Sequence, residues 1–182
     1  KLMIENNINS SNVIIHAPYI INLANNTDER KYSFYIDFLT KELERVKILG
    51  FNKMVLHPGS AVGVTREEGI RSIANAINIA FSSESDTMIL LEFMAGKGNE
   101  LGTNIYELKA ILDLIEDKDR IGICLDTCHM NDSGIDLKEF DSFLDEFDKV
   151  LGINRIKCIH VNDSININGS HKDRHENIGY GT

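Results

Sequence analysis

Long hydrophobic runs are missing from this chain. Its uninterrupted apolar stretches, such as Met88–Leu91, reach four residues, far short of the roughly 20 that a membrane-spanning helix needs. The opening KLMIENNINSSN has neither an apolar signal region nor a small-residue cleavage site. Proline is scarce, with two in 182 residues, and no low-complexity tract is present. With 26% charged and 42% hydrophobic residues, this excludes collagen-like and disordered classes and leaves an ordinary globular chain with one sizeable core. Residues 1–182 therefore read as a single domain. Cysteine is sparse and odd in number: Cys124, Cys128 and Cys158. Two of them lie inside apolar runs, which predicts small buried hydrophobes in a reducing intracellular compartment, not a disulfide framework. Basic charge is in deficit, 19 Lys and Arg against 28 Asp and Glu, a net charge of −9. On its face that disfavours a nucleic-acid partner, but carboxylates that ligate divalent cations would offset the deficit, and a polyanion responds to the local field at a cleft.

What the sequence does have is a repeat. Five short runs rich in β-branched residues each end in an acid–base or metal-competent side chain: Val13–Ile15 then His16, Met54–Leu56 then His57, Met88–Leu91 then Glu92, Ile121–Leu125 then Asp126, and Ile156–Ile159 then His160. The intervals are 41, 35, 34 and 34 residues, the length of a buried parallel strand, a crossover helix and two loops. Helix signals fall between them. Glu29–Leu49 is amphipathic and closed by Gly50; Thr65 with Glu68 forms a capping box for a helix to about Ala80. Asn104 with Glu107 and Asp136 with Glu139 are similar starts, and Gly152 ends the last helix.

Alternating strands and helices predict a parallel α/β architecture. Functional residues at the C-terminal ends of all five strands favour a TIM (β/α)8 barrel over a doubly wound sheet, whose functional residues crowd one switch point. A barrel takes roughly 250 residues, so the chain is expected to be a segment of a longer protein. Residues 1–7 would then be the tail of a helix preceding the first visible strand.

Two clusters add donors to the five strand ends: Asp126-Thr-Cys-His129 and Asp173-Arg-His175. In an extended segment Asp173 and His175, two apart, would point the same way and hold one ion. Eight candidate ligands result: His16, His57, Glu92, Asp126, His129, His160, Asp173 and His175. Mixed imidazoles and carboxylates suit zinc or manganese, and at roughly three protein ligands per ion with some bridging they imply two or three ions. His171 lies outside the pattern, and Gly96 and Gly98 read as a tight turn, not a phosphate loop.

These residues carry a family resemblance. HAPYIINLAN (16–25), LHPGS (56–60), LEFMAGKGNELG (91–102), LDTCH (125–129), IHVND (159–163) and the DRH of HKDRHENIGYG (171–181) resemble, in order and spacing, the endonuclease IV family of apurinic/apyrimidinic DNA repair endonucleases. The resemblance implies a TIM barrel, of which the visible strands would be the third to the seventh, and about three zinc ions, with manganese a possible substitute. It marks the same eight residues as ligands, with Glu92 bridging two ions as the central catalytic residue and His129, Asp173 and His175 holding a third. One family ligand, a Glu on the final strand, has no counterpart.

The implied reaction is hydrolysis of the phosphodiester 5′ to an abasic site in double-stranded DNA, leaving a 3′-hydroxyl and a 5′-deoxyribose phosphate, with no protein nucleophile. The abasic nucleotide would be flipped out, and Tyr19 and Ile20 match loop residues that enter the DNA stack. A monomer is implied, cytoplasmic and nucleoid-associated in a bacterium, nuclear or mitochondrial in a eukaryote. Two departures are visible: Met130-Asn-Asp-Ser is more polar than many members show, and His171-Lys172 differs from the usual loop. The competing readings are a xylose-isomerase-like sugar isomerase or epimerase with one or two metals, which has no use for the third donor set, and an inactive barrel fragment with incomplete metal sites.

Overall fold

The computed structural model describes residues 2–182. Five parallel strands form one sheet in chain order: β1 (Ile15–His16), β2 (Lys53–Leu56), β3 (Met88–Glu92), β4 (Ile121–Asp126) and β5 (Ile156–His160). Four helices cross between successive strands: α2 (Glu29–Ile48), α3 (Arg66–Phe81), α4 (Ile105–Leu114) and α6 (Phe140–Val150), with a one-turn α1 (Leu2–Glu5) ahead of β1. Sequential order without reversal leaves no topological switch point. The sheet curls as the wall of an incomplete TIM barrel, as the strand-end pattern predicts. Among the described residues, β1 and β5 are its open edges, and no helix is long and apolar enough to cross a membrane.

Local chemistry explains the helix starts. The Asp28 carboxylate accepts from the N–H groups of Arg30 and Lys31, and Asn104 Oδ1 from those of Tyr106 and Glu107. Thr65 and Glu68 complete their capping box in both directions. Glu107 does more than the sequence suggests. Its Oε2 accepts from the Gly102 and Thr103 N–H groups (3.0 and 3.2 Å) while Oε1 takes the Arg66 Nε–H at 2.6 Å, tying α3 to α4. Burial opposes ionisation of this carboxyl, but the Arg66 hydrogen bond and the backbone donors outweigh it and hold its pKa below 4.5. The stabilisation is therefore complete above pH 4.5 and is lost as the pH falls through the lower folded-state value. Glu107→Gln is expected to cost about 1–2 kcal/mol near neutral pH, and urea titrations should show that deficit shrinking below about pH 4; a deficit constant with pH would rule out the ionic origin.

Strand alternation sorts side chains onto two faces. Met54, Leu56, Ile89, Leu91, Ile123 and Leu125 point outward, are almost fully buried, and meet the helices in the main core. Val55, Leu90 and Cys124 point inward and form a smaller cluster with Ile14, Met88 and Cys158 at its margin. The interior thus begins with an apolar layer. Each inward residue at position i−2 sits directly below a strand-end functional residue: Ile14 below His16, Val55 below His57, Leu90 below Glu92, Cys124 below Asp126 and Cys158 below His160.

Three expectations need correction, and one helix was not foreseen. The first strand is shorter than Val13–Ile15 plus His16, because Asn9 caps a 3-10 turn at Ser10–Asn12 and Val13 closes it. Of residues 1–7, Lys1 lies outside the described residues and only Leu2–Glu5 are helical. Asp136 caps a 3-10 turn (Leu137–Glu139), so α6 begins one turn late, at Phe140. A helix not anticipated, α5 (Thr127–Ser133), starts immediately after β4, with the Asp126 side chain accepting from the His129 N–H as its N-cap.

Candidate metal centre

Register brings the strand ends to one rim. Leu56 pairs with Leu91, Glu92 with Cys124, and Asp126 with His160, so five functional side chains emerge at one end of the sheet. His16, His57, Glu92 and His160 line a cleft of about 400 Å³ together with His129 from α5 and Asp173 and His175 from the chain beyond β5. Glu92 is the hub, 1% exposed. Its Oε2 lies 3.1 Å from both His16 Nε2 and His57 Nε2, while Oε1 lies 3.0 Å from His160 Nδ1 and 3.4 Å from His129 Nδ1. One carboxylate thus divides its two oxygens between separate donor sets.

The third cluster converges through side chains alone. His129 Nε2 and His175 Nε2 each lie 3.2 Å from Asp173 Oδ1 and 3.4 Å from each other. Asp173 reaches this position differently from the expectation: its φ is +56°, so residues 173–175 are not extended. Instead the short strands β6 (Asp163–Ser164) and β7 (His175–Glu176) pair antiparallel and fold the loop back over the cleft.

Two backbone carbonyls, which no sequence motif announces, orient the imidazoles. His16 Nδ1 is 2.8 Å from the Ala17 carbonyl and His129 Nδ1 is 2.9 Å from that of Phe93. A proton on each Nδ1 donated to these oxygens leaves Nε2 free to ligate, the outer-sphere arrangement typical of metal-binding histidine. Asp126 is fully buried and similarly fixed, its Oδ1 accepting from the His129 N–H and its Oδ2 from Asn162 Nδ2, both at 2.9 Å.

Proton affinities in the cleft reflect dense charge. Burial would raise the Glu92 carboxyl, but hydrogen bonds from His16, His160 and His57 hold it far below the carboxylate range. The Asp173 carboxyl is lowered by its His129 hydrogen bond. Contacts with Asp126, Cys124 and Glu92 push His160 up to about 12. Burial lowers His129, yet Asp173, Asp126 and Glu92 raise it on balance to about 9. These carboxylates call for cationic partners, a demand that imidazolium or a metal ion can meet. The donor set itself, borderline-soft nitrogen with carboxylate oxygen at convergent positions, fits zinc better than the ions that prefer all-oxygen shells.

All eight sequence-selected residues come together. Tyr19 and Ile20 stand at the rim, 88% and 58% exposed, with Tyr19 lining the cleft. The cysteines behave in part as expected: Cys124 and Cys128 are buried, and burial pushes their thiols up to about 12 and 11. His171 is less idle than the sequence suggests, since its Nδ1 lies 3.1 Å from the Ala95 carbonyl and its ring rests where a Cβ on Gly96 would collide, 2.7 Å from Nδ1. Gly96 and Gly98 have φ of +84° and +60°, the tight turn anticipated. Two residues were missed outright, Asn162 and Asp132. Asp132 is fully buried and receives hydrogen bonds from Ser164, Asn166, Asn131 and the Asp173 N–H. The polarity of Met130-Asn-Asp-Ser serves this internal network.

A family model described as the xylose isomerase-like TIM barrel matches residues 1–182. The chain belongs to this family. Within it, the "probable endonuclease 4" of Staphylococcus saprophyticus is 49% identical over 172 residues, and that of Staphylococcus aureus strain Newman 47% over the same length. Each alignment covers 94% of this chain and 58% of the relative, so the chain spans somewhat over half the length of these curated relatives. The endonuclease IV structure from Thermus thermophilus superposes with a TM-score of 0.75 at 30% identity, covering 92% of this chain and 59% of that one. The resemblance carried by LHPGS, LDTCH and DRH is thereby borne out. A D-tagatose 3-epimerase-like protein superposes equally well, TM-score 0.76, covering 99% of this chain and 65% of that one, but at 23% identity it speaks to the fold alone.

Proposed function

We propose that this chain carries the metal centre of a DNA repair endonuclease that hydrolyses the phosphodiester 5′ to abasic sites in double-stranded DNA, giving a 3′-hydroxyl and a 5′-deoxyribose phosphate. The observation that carries the reading is the division of the Glu92 oxygens between His16 with His57 on one side and His160 on the other, beside a separate His129–Asp173–His175 triad. The endonuclease names of the relatives support it. In this reading His16, His57 and Glu92 hold one zinc, Glu92, Asp126 and His160 a second, and His129, Asp173 and His175 a third, with manganese able to substitute.

When bound, such ions supply Lewis-acid stabilisation of phosphate charge and a hydrolytic nucleophile at neutral pH. The protein's own part is placement. Ala17 and Phe93 carbonyls aim two imidazoles, and Asn162 fixes the Asp126 carboxylate. Tyr19 and Ile20 offer apolar surface at the rim to the base stack opened by a flipped nucleotide. The substrate would be engaged by a single monomeric barrel domain acting on DNA in the bacterial cell.

A sugar epimerase would leave the third triad without a task. The deciding experiment is nicking of a duplex bearing one tetrahydrofuran abasic analogue, with and without a zinc chelator, by this chain and by one extended to the length of its relatives. Nicking 5′ to the lesion that the chelator abolishes is the expected result. Metal-loaded protein that leaves the duplex intact in both forms would overturn the reading in favour of sugar chemistry.

A further inference from the structure

The layer beneath the cleft carries chemistry that hydrolysis does not use. Cys124 and Cys158 are cross-strand partners in the β4–β5 register, and both are free thiols. Their sulfur atoms and a ring nitrogen of His160 lie within 4.8 Å of one another. The Cys124 sulfur makes a long contact, 3.6 Å, to the Leu125 carbonyl, a weak interaction that costs little to redirect. An ion bonded to two sulfurs at about 2.3 Å and a nitrogen at about 2.0 Å would hold them roughly 3.5–4 Å apart, a closure within reach of rotamer adjustment at Cys158, which is only half-buried at the edge strand.

We propose that Cys124 and Cys158, sharing His160 with the carboxylate–imidazole centre one layer above them, form a second site for a thiophilic closed-shell metal ion. Two thiolates and an imidazole select soft ions of the Cu(I) and zinc-group type over the hard ions that carboxylates accept. Binding replaces two S–H bonds and one imidazolium N–H bond with two metal–sulfur bonds and one metal–nitrogen bond and releases three protons to solvent, with no change in oxidation state. The site is coupled to the cleft through His160, whose Nδ1 lies 3.0 Å from Glu92 Oε1 and 3.4 Å from Asp126 Oδ2; an ion held by the sulfurs draws on the same ring. Cys128 lies apart, grouped with Asp126 and His175, and serves as an internal control. Sulfur ligation here is independent of whether the cleft hydrolyses DNA.

Cadmium is the probe, because a thiolate-to-cadmium charge-transfer band reports sulfur ligation directly. Titrating the purified chain with Cd2+ is expected to develop that band to saturation at one sulfur-ligated ion per chain, and to protect the half-buried Cys158 from a thiol reagent that the buried Cys124 and Cys128 are already shielded from. Cys158→Ser is expected to weaken that ion by at least about 10- to 100-fold, the scale already lost with an outer-sphere partner; Cys128→Ser should leave it intact. Cys124→Ser is the second test, but Cys158 is only half-buried, so its variant remains informative if the other fails to fold, with circular dichroism as the check. Cadmium uptake with no charge-transfer band, a Cys158→Ser variant that reaches the parent's band intensity at the parent's cadmium concentration, or a band that vanishes in Cys128→Ser, would overturn the proposal.

Discussion

Replacing Glu92 by alanine is expected to strip the centre of most of its zinc and to lower nicking of an abasic-site duplex by at least about a thousandfold, equivalent to about 4 kcal/mol of barrier. The size follows from the position of this side chain. Four imidazoles approach its two oxygens within 3.4 Å, so its loss removes a ligand from two proposed ions at once and leaves their histidines facing one another. His16 and His57 rings are already 5.1 Å apart between centroids, and His16 and His160 5.7 Å. Without the carboxylate, the mutual repulsion of bound cations or protonated rings loses its central counter-charge. Glu92→Gln separates charge from shape: it fills the same space and retains an acceptor oxygen, yet is expected to retain little metal, since an amide is a poor bridging ligand. Metal content by atomic absorption, read beside turnover and a thermal unfolding curve, checks both variants. If Glu92→Ala kept three zincs and the parent rate, the bridging role would be wrong.

The hub was visible in the sequence because of a regularity of the fold. In a parallel barrel each strand delivers its last residue to the same rim, so a 34- to 41-residue spacing of His, His, Glu, Asp and His projects directly onto a ring. Caps were equally legible at Thr65 and Asn104, where a side chain meets N–H groups two or three residues on. Legibility failed where a residue does two things. Asp126 reads as a strand-end ligand, and one of its oxygens also caps α5, a helix whose short polar sequence TCHMNDS carries no apolar periodicity. It failed again at Asp173, because a left-handed backbone in a non-glycine residue is imposed by the surroundings and not by its own preference. The carbonyls of Ala17 and Phe93 are beyond any motif, since every residue has one and only the folded geometry selects these two.

Asp132 shows the same limit with the greatest consequence for stability. Its Oδ1 accepts from Ser164 Oγ at 2.7 Å and Asn131 Nδ2 at 3.1 Å; its Oδ2 accepts from the Asp173 N–H at 2.8 Å and Asn166 Nδ2 at 3.2 Å. The backbone carbonyl of the same residue accepts from the His171 N–H at 2.9 Å. One short helix thereby holds residues 164–173, the segment that delivers Asp173 and His175. Asp132→Ala keeps the carbonyl contact but strands four donors, the Asp173 N–H among them, in a site that the native side chain fills fully buried. The expected cost is about 2–4 kcal/mol of stability, with a fall of about 10- to 100-fold in affinity for the ion assigned to His129, Asp173 and His175. Asp132→Asn, which keeps one acceptor and places an N–H where a donor already points, should fall between the parent and Asp132→Ala. The informative readout is selective: chelator competition should show one weakened zinc out of three, whereas Glu92→Ala weakens two. A variant that unfolded earlier yet released all its zincs at the parent's chelator concentration would separate the network from the metal centre and reduce Asp132 to a loop anchor.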